Sequence, residues 1–114
     1  MAYFVLVNEQ GPAWVSGRPM REQQLWSEHA AYVNDAMYAG SVILGGPIGD
    51  GEVHRAMLVL NADSLDSVRS WHAADPWVRA GILQMHSLEP WTLLVSNDKL
   101  DPVLADITRA GAAP

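Results

Sequence analysis

A chain of 114 residues has room for one domain and one core, and 49% hydrophobic residues give it the apolar content to fold. Its formal net charge of −6 argues against a nucleic-acid partner and against an anionic membrane surface, since both need a basic face. The absence of cysteine excludes disulfides, thiolate chemistry and cysteine-based metal sites.

The N-terminal run "AYFVLVNE" is β-rich, and a buried strand is expected over residues 3–8. It lacks the basic start and long apolar centre of a secretory signal, so cytoplasmic residence is the expectation. No apolar run reaches the roughly 20 residues of a spanning helix, and no membrane role is expected. "QGPAWVSGRPM" carries two Gly and two Pro and reads as a loop. Trp14 in that loop is expected to cover something apolar, a pocket mouth or a second subunit. Residues 20–39 read as one long helix, with Leu25, His29, Val33 and Ala36 on a shared face and Gly40 as its left-handed end.

A strand over 41–48 follows. Within it Gly45-Gly46-Pro47 suggests a bulge or a close backbone approach. "HRAMLVLNA", 54–62, is the next strand, joined to it as a hairpin about Gly49–Gly51. Ser64 caps a second helix, 65–73, with Leu65, Val68, Trp71 and His72 on its apolar side. Asp75-Pro76 opens a short turn that Gly81 closes. A strand over 82–95 is interrupted at Pro90, which places that point on an edge or at a bulge. A third helix is expected over 100–111, in a C-terminal segment, 99–114, set apart from a domain over 1–98.

The order β-α-β-β-α-β predicts an α+β fold of ferredoxin-like type, with helices on one face of an antiparallel sheet. Strand runs such as "FVLV" and "MLVL" are apolar on both alternations. Both sheet faces are therefore expected to be covered, and a homodimer packed sheet against sheet supplies the second cover.

The stretches "EHAAYVNDAMYAGSVILGGP", "DPWVRAGI" and "EPWTLLV", in that order, resemble the YCII-related family of small dimeric α/β-barrel proteins. The resemblance runs over about residues 3–95. The Trp-bearing loop after the first strand and the C-terminal helix depart from the common pattern, and both bear on the pocket entrance. The resemblance implies a dimer and a pocket holding a His–Asp pair. Members with assigned chemistry resemble muconolactone isomerases and dehydrochlorinases; most have none assigned.

On that pattern His29 and Asp75 are the candidate catalytic pair. Taken alone, His29 is a core histidine satisfied by one hydrogen bond, and Asp75 is an N-cap. Capping leaves a carboxylate oxygen free to orient an imidazole, and an imidazole moves protons near neutrality. No nucleophile accompanies the pair, which points to proton transfer rather than acyl transfer. The expected reaction is isomerisation or hydrogen-halide elimination on a small cyclic or unsaturated carbonyl compound. The alternative is a non-catalytic ligand-binding or accessory protein on the same scaffold. Gly46 and Pro47 are candidate ligand contacts, as against a plain β-bulge. Trp77 and Trp14 are candidate pocket walls, as against core or interface residues. His29, His54, His72 and His86 lie on four different elements without i, i+3 or i+4 pairing, so no metal is expected. No phosphate-loop or dinucleotide spacing occurs, and no cofactor is expected.

Overall fold

Along Ala2–Gln10 (β1), Phe4, Leu6 and Asn8 are buried and alternate with half-buried Tyr3, Val5 and Val7. That two-residue period sets the two faces of the sheet. The computed structural model describes residues 2–95. After β1 come Trp26–Tyr38 (α1), Val42–Ile48 (β2), Arg55–Ala62 (β3), Leu65–Ala73 (α2), Pro76–Arg79 (α3) and Leu83–Trp91 (β4). The strands lie in the order β2-β3-β1-β4, antiparallel throughout, with β1 and β3 in the centre. This is the expected ferredoxin-like α+β arrangement.

One face of the sheet carries the helices. Phe4 and Leu6 of β1, Leu60 of β3 and Val42 of β2 meet Ala36 of α1 and Val68 of α2 in the main core. A second cluster, Trp77, Ile82 and Leu83, forms where Gln10 pairs with Leu83, and Trp14, Met20 and Trp26 pack against it. The loop after β1 is tied there: Gly11 N–H donates to Ile82 O and Ala13 N–H to Gly81 O, both at 2.9 Å. A Cβ on Gly11 would collide with the Gly81 carbonyl, so only glycine allows this approach. Tyr3, Val5, Val7, Met57 and Val59 alternate onto the opposite face, which carries no helix among the described residues. Leu44 and Trp91 are 46% and 43% exposed.

Two expectations are corrected, and of the two alternatives at Gly45-Gly46-Pro47 the close backbone approach holds. The helix expected over 20–39 is broken: a 3-10 turn at Met20–Glu22 precedes α1, and Leu25 between them stands at φ 62°. Gln23 is the reason. Its side chain accepts from Val15 N–H at 2.9 Å and donates to Val15 O at 2.9 Å and Arg18 O at 2.8 Å, holding the chain in the loop. Leu25 consequently leaves the helix face and is 40% exposed, at a backbone cost of about 1–2 kcal/mol. The irregularity in β2 falls between Val42 and Leu44 rather than at Gly45-Gly46. Gly45 is instead a point of close approach, where a Cβ would stand 2.7 Å from Met57 O. The last strand ends at Trp91, short of 95; Pro90 sits on this edge strand, as its missing donor requires. The helix expected over 100–111 and the boundary at 98/99 lie outside the described residues.

Candidate functional site

Ser64 caps α2 as expected, accepting from Ser67 N–H at 3.1 Å. α2 ends at Ala73, and Asp75 is extended there (φ −62°, ψ 129°) because a proline follows. Asp75 Oδ1 accepts the Trp77 N–H at 2.9 Å, capping α3 with Pro76 in its first turn. The cap is buried: Asp75 is 3% exposed.

The same carboxylate holds a histidine. His29 Nδ1 lies 2.9 Å from both Asp75 Oδ1 and Oδ2. A carboxylate only accepts, so Nδ1 carries the hydrogen and Nε2 is left as the ring's open nitrogen. The imidazole stacks on the Trp77 indole, centroids 4.0 Å apart and planes 7° from parallel. Trp77 is fixed in turn, fully buried with its Nε1–H donated to Gln24 O at 2.6 Å. Asp75, Trp77 and the entry to α1 therefore lock the ring from three sides. Capping and orienting are one arrangement of a single carboxylate.

His29 borders a cavity of about 160 Å³ whose walls include Asn8, Gly46, Pro47, His54 and Trp77. Its lining is mostly apolar, as small-ligand sites are, and its size suits a single ring rather than a nucleotide. A wider opening of about 550 Å³ lies outside, lined by Trp14, Arg18, Glu52 and Arg55 among others. Met20, Pro47 and His54 border both spaces. Trp14 thus belongs to the outer opening, where its ring stacks on His54 at 4.5 Å and 11° and meets Trp77 edge-on at 5.7 Å.

Sequence reasoning missed three polar groups here. His54 lines the cavity. His72, read as part of an apolar helix side, is buried and bonded through Nε2 to Asn8 Oδ1 at 2.8 Å. Asn8 sits in the apolar row of β1 and borders the cavity. The signal that could have found them was polarity at core-facing positions, since a buried polar side chain demands a partner.

Burial pushes His72 below its ordinary value of 6.5, partly offset by the Asp75 charge. Burial and then the neighbouring His29 push His54 down in the same way. Tyr32, whose hydroxyl donates to Trp71 O at 2.8 Å, is raised, by burial first and then by Asp75. The unfolded chain takes a proton on each histidine near 6.5, whereas the folded chain takes it only at lower pH. The stability from keeping both rings neutral is complete above pH 6.5 and is lost as pH falls through their depressed values. Urea midpoints measured from about pH 7 down to about pH 5 are expected to fall, and His72→Gln should flatten the fall. A midpoint that rises on acidification contradicts this.

Among the described residues no three His, Asp or Glu side chains gather as metal ligands. No described helix is long and apolar enough to cross a membrane.

Residues 1–92 match the model of the YCII-related domain. The chain belongs to that family. Among solved structures, this YCII-related chain is similar to 5-chloro-2-hydroxyhydroquinone dehydrochlorinase (TftG) from Burkholderia phenoliruptrix AC1100, in complex with 2,5-dihydroxybenzoquinone. The identity is 23% and the TM-score 0.49, covering 78% of this chain and 93% of that one. No curated protein matches it.

Proposed function

We propose that this YCII-related protein is a small-molecule enzyme in which His29 Nε2 removes and returns a proton beside a carbonyl group. The observation that carries the reading is the buried Asp75 carboxylate, 2.9 Å from His29 Nδ1, at the wall of a ring-sized cavity. The carboxylate fixes the tautomer and compensates the charge the ring gains on taking a proton. His29 is then the catalytic residue and Asp75 its positioning residue, with Trp77, Gly46 and Pro47 as walls and Trp14 at the outer opening.

For isomerisation, the proton leaves the carbon next to the carbonyl, the electron pair passes into an enolate, and the proton returns at a different carbon. For hydrogen-halide elimination, the same proton leaves, the pair forms a carbon–carbon double bond, and halide departs from the adjacent carbon. Neither route needs an oxidant, a reductant or a covalent intermediate on the protein.

Conversion of cyclohex-3-enone to its conjugated isomer follows the first route, and 3-chlorocyclohexanone follows the second. Both are read by the growth of enone absorbance. The full chain is expected to accelerate at least one, and His29→Gln to reduce the rate by about 10²–10⁴-fold with the circular dichroism spectrum kept. Tight binding of both ketones without turnover would favour the ligand-binding alternative.

A second copy of the chain is proposed to cover the helix-free sheet face. That face presents half-buried Val5, Val7 and Met57 around a buried Val59, with Leu44 and Trp91 at its edges. Sedimentation equilibrium is expected to give twice the chain mass, and Val5→Glu to give the monomer. A wild-type monomer at all concentrations rules the dimer out.

A further inference from the structure

Asn8 is a buried amide at the end of the central strand, and it has only half of its hydrogen bonds accounted for. It is 4% exposed, in the row that begins with Phe4 and Leu6. Its Oδ1 is taken by His72 Nε2 at 2.8 Å. His72 is itself buried on α2, so this contact ties the first strand to the second helix across the core. Whenever Nε2 carries a proton, in the neutral or the charged ring, only the amide oxygen can face it. With the hydrogen on His72 Nε2, the Asn8 amide has that one orientation, oxygen toward the ring and NH₂ away from it.

The Nδ2 end is left over. Among the described residues no group accepts its two hydrogens, yet no buried side-chain nitrogen is both unpartnered and sealed off. Nδ2 must then open onto free space, and the space Asn8 borders is the cavity bordered by His29. A strand interior does not tolerate an amide with two idle donors unless something accepts them.

We infer that Asn8 is the anchor for an acceptor oxygen of the ligand, its amide held donor-outward by the His72 ring behind it. The ligand class is a small ring bearing a carbonyl or enolate oxygen, with an apolar body against Trp77, Leu58 and Pro47. The inference deepens the proposed proton transfer, because a fixed donor aimed at the oxygen favours the enolate that forms when His29 takes the proton. Asn8 would contact ligand; His72 acts only through it, as a positioning residue. The arrangement also gives a reason for a histidine in the buried stripe of α2.

The test is a comparison of cyclohexanone with methylenecyclohexane, which replaces the oxygen by a methylene group in the same shape. Both are titrated into the full chain by ¹H–¹⁵N correlation spectroscopy, an equilibrium readout that stands even if no proton transfer occurs. In the wild type the Asn8 side-chain NH₂ pair should move on adding the ketone and stay still with the hydrocarbon. Asn8→Leu should lower the ketone-to-hydrocarbon affinity ratio about threefold to tenfold. His72→Phe should lower it in part, and His72→Gln, which keeps a donor for Oδ1, should restore it. An Asn8 NH₂ pair unmoved by cyclohexanone at any concentration overturns the inference, as does a ratio unchanged by Asn8→Leu. Should Asn8→Leu fail to fold because it strands His72, the wild-type titration alone decides.

Discussion

Asp75→Asn is expected to leave the fold standing and to remove most of the proton-transfer rate, by about 10²–10⁴-fold. Asn is as good an N-cap as Asp, so its oxygen keeps the Trp77 N–H and α3 survives. That choice turns the new NH₂ group to where Oδ2 now meets His29 Nδ1 at 2.9 Å. The retained oxygen at the Oδ1 position, also 2.9 Å from Nδ1, is shared with the Trp77 N–H, and the new NH₂ opposes an Nδ1 hydrogen, so the balance shifts toward the ring that carries its hydrogen on Nε2 and accepts from the amide at Nδ1. The nitrogen facing the cavity then holds a proton where it should accept one. The loss should appear in kcat, with cyclohexanone binding nearly unchanged, because the apolar walls are untouched. Asp75→Ala is the weaker experiment, since it also removes the cap, at about 1 kcal/mol. If Asp75→Asn keeps full turnover, the carboxylate is only a cap.

Trp77→Ala carries the largest stability effect, a loss of about 3–5 kcal/mol in urea unfolding. The indole is fully buried, touches Trp14, Trp26 and His29, and donates to Gln24 O. Its removal opens a void where the loop, α1 and α3 meet and leaves the Gln24 carbonyl without its donor. Against a typical stability of about 5–15 kcal/mol, that is enough to leave part of the population unfolded near 37 °C. Trp77→Phe keeps a ring beneath His29 and should recover much of the loss. A change below about 1 kcal/mol for the alanine variant would mean that the site is not built on this side chain.

Where the sequence was readable, the information was local. Ser64 three residues before Ser67, with Leu65 and Val68 behind it, announces α2 to the residue. Asp75-Pro76 announces α3, and the four-residue spacing of His29 and Val33 places the imidazole on the inner side of α1. The pairing of His29 with Asp75 was reached through family resemblance, because 46 residues separate them and no spacing rule spans that gap. The early stop of the long helix was unreadable for a physical reason. Residues 20–25 have good helical propensity, but Gln23 gains more from three bonds to the loop backbone than from another helical turn. The same limit hid Asn8 and His72, which are 64 residues apart in chain and meet only in the folded core.

The proton on the His29 ring is the most direct point of attack on the whole account. Long-range ¹H–¹⁵N spectra of the neutral imidazole distinguish a hydrogen on Nδ1 from one on Nε2. The arrangement with Asp75 predicts Nδ1–H in the wild type, the reverse of the tautomer preferred by free histidine, and a shift toward Nε2–H in Asp75→Asn. Finding Nε2–H in the wild type would mean that the nitrogen open to the cavity is already protonated, and His29 could not serve there as a base.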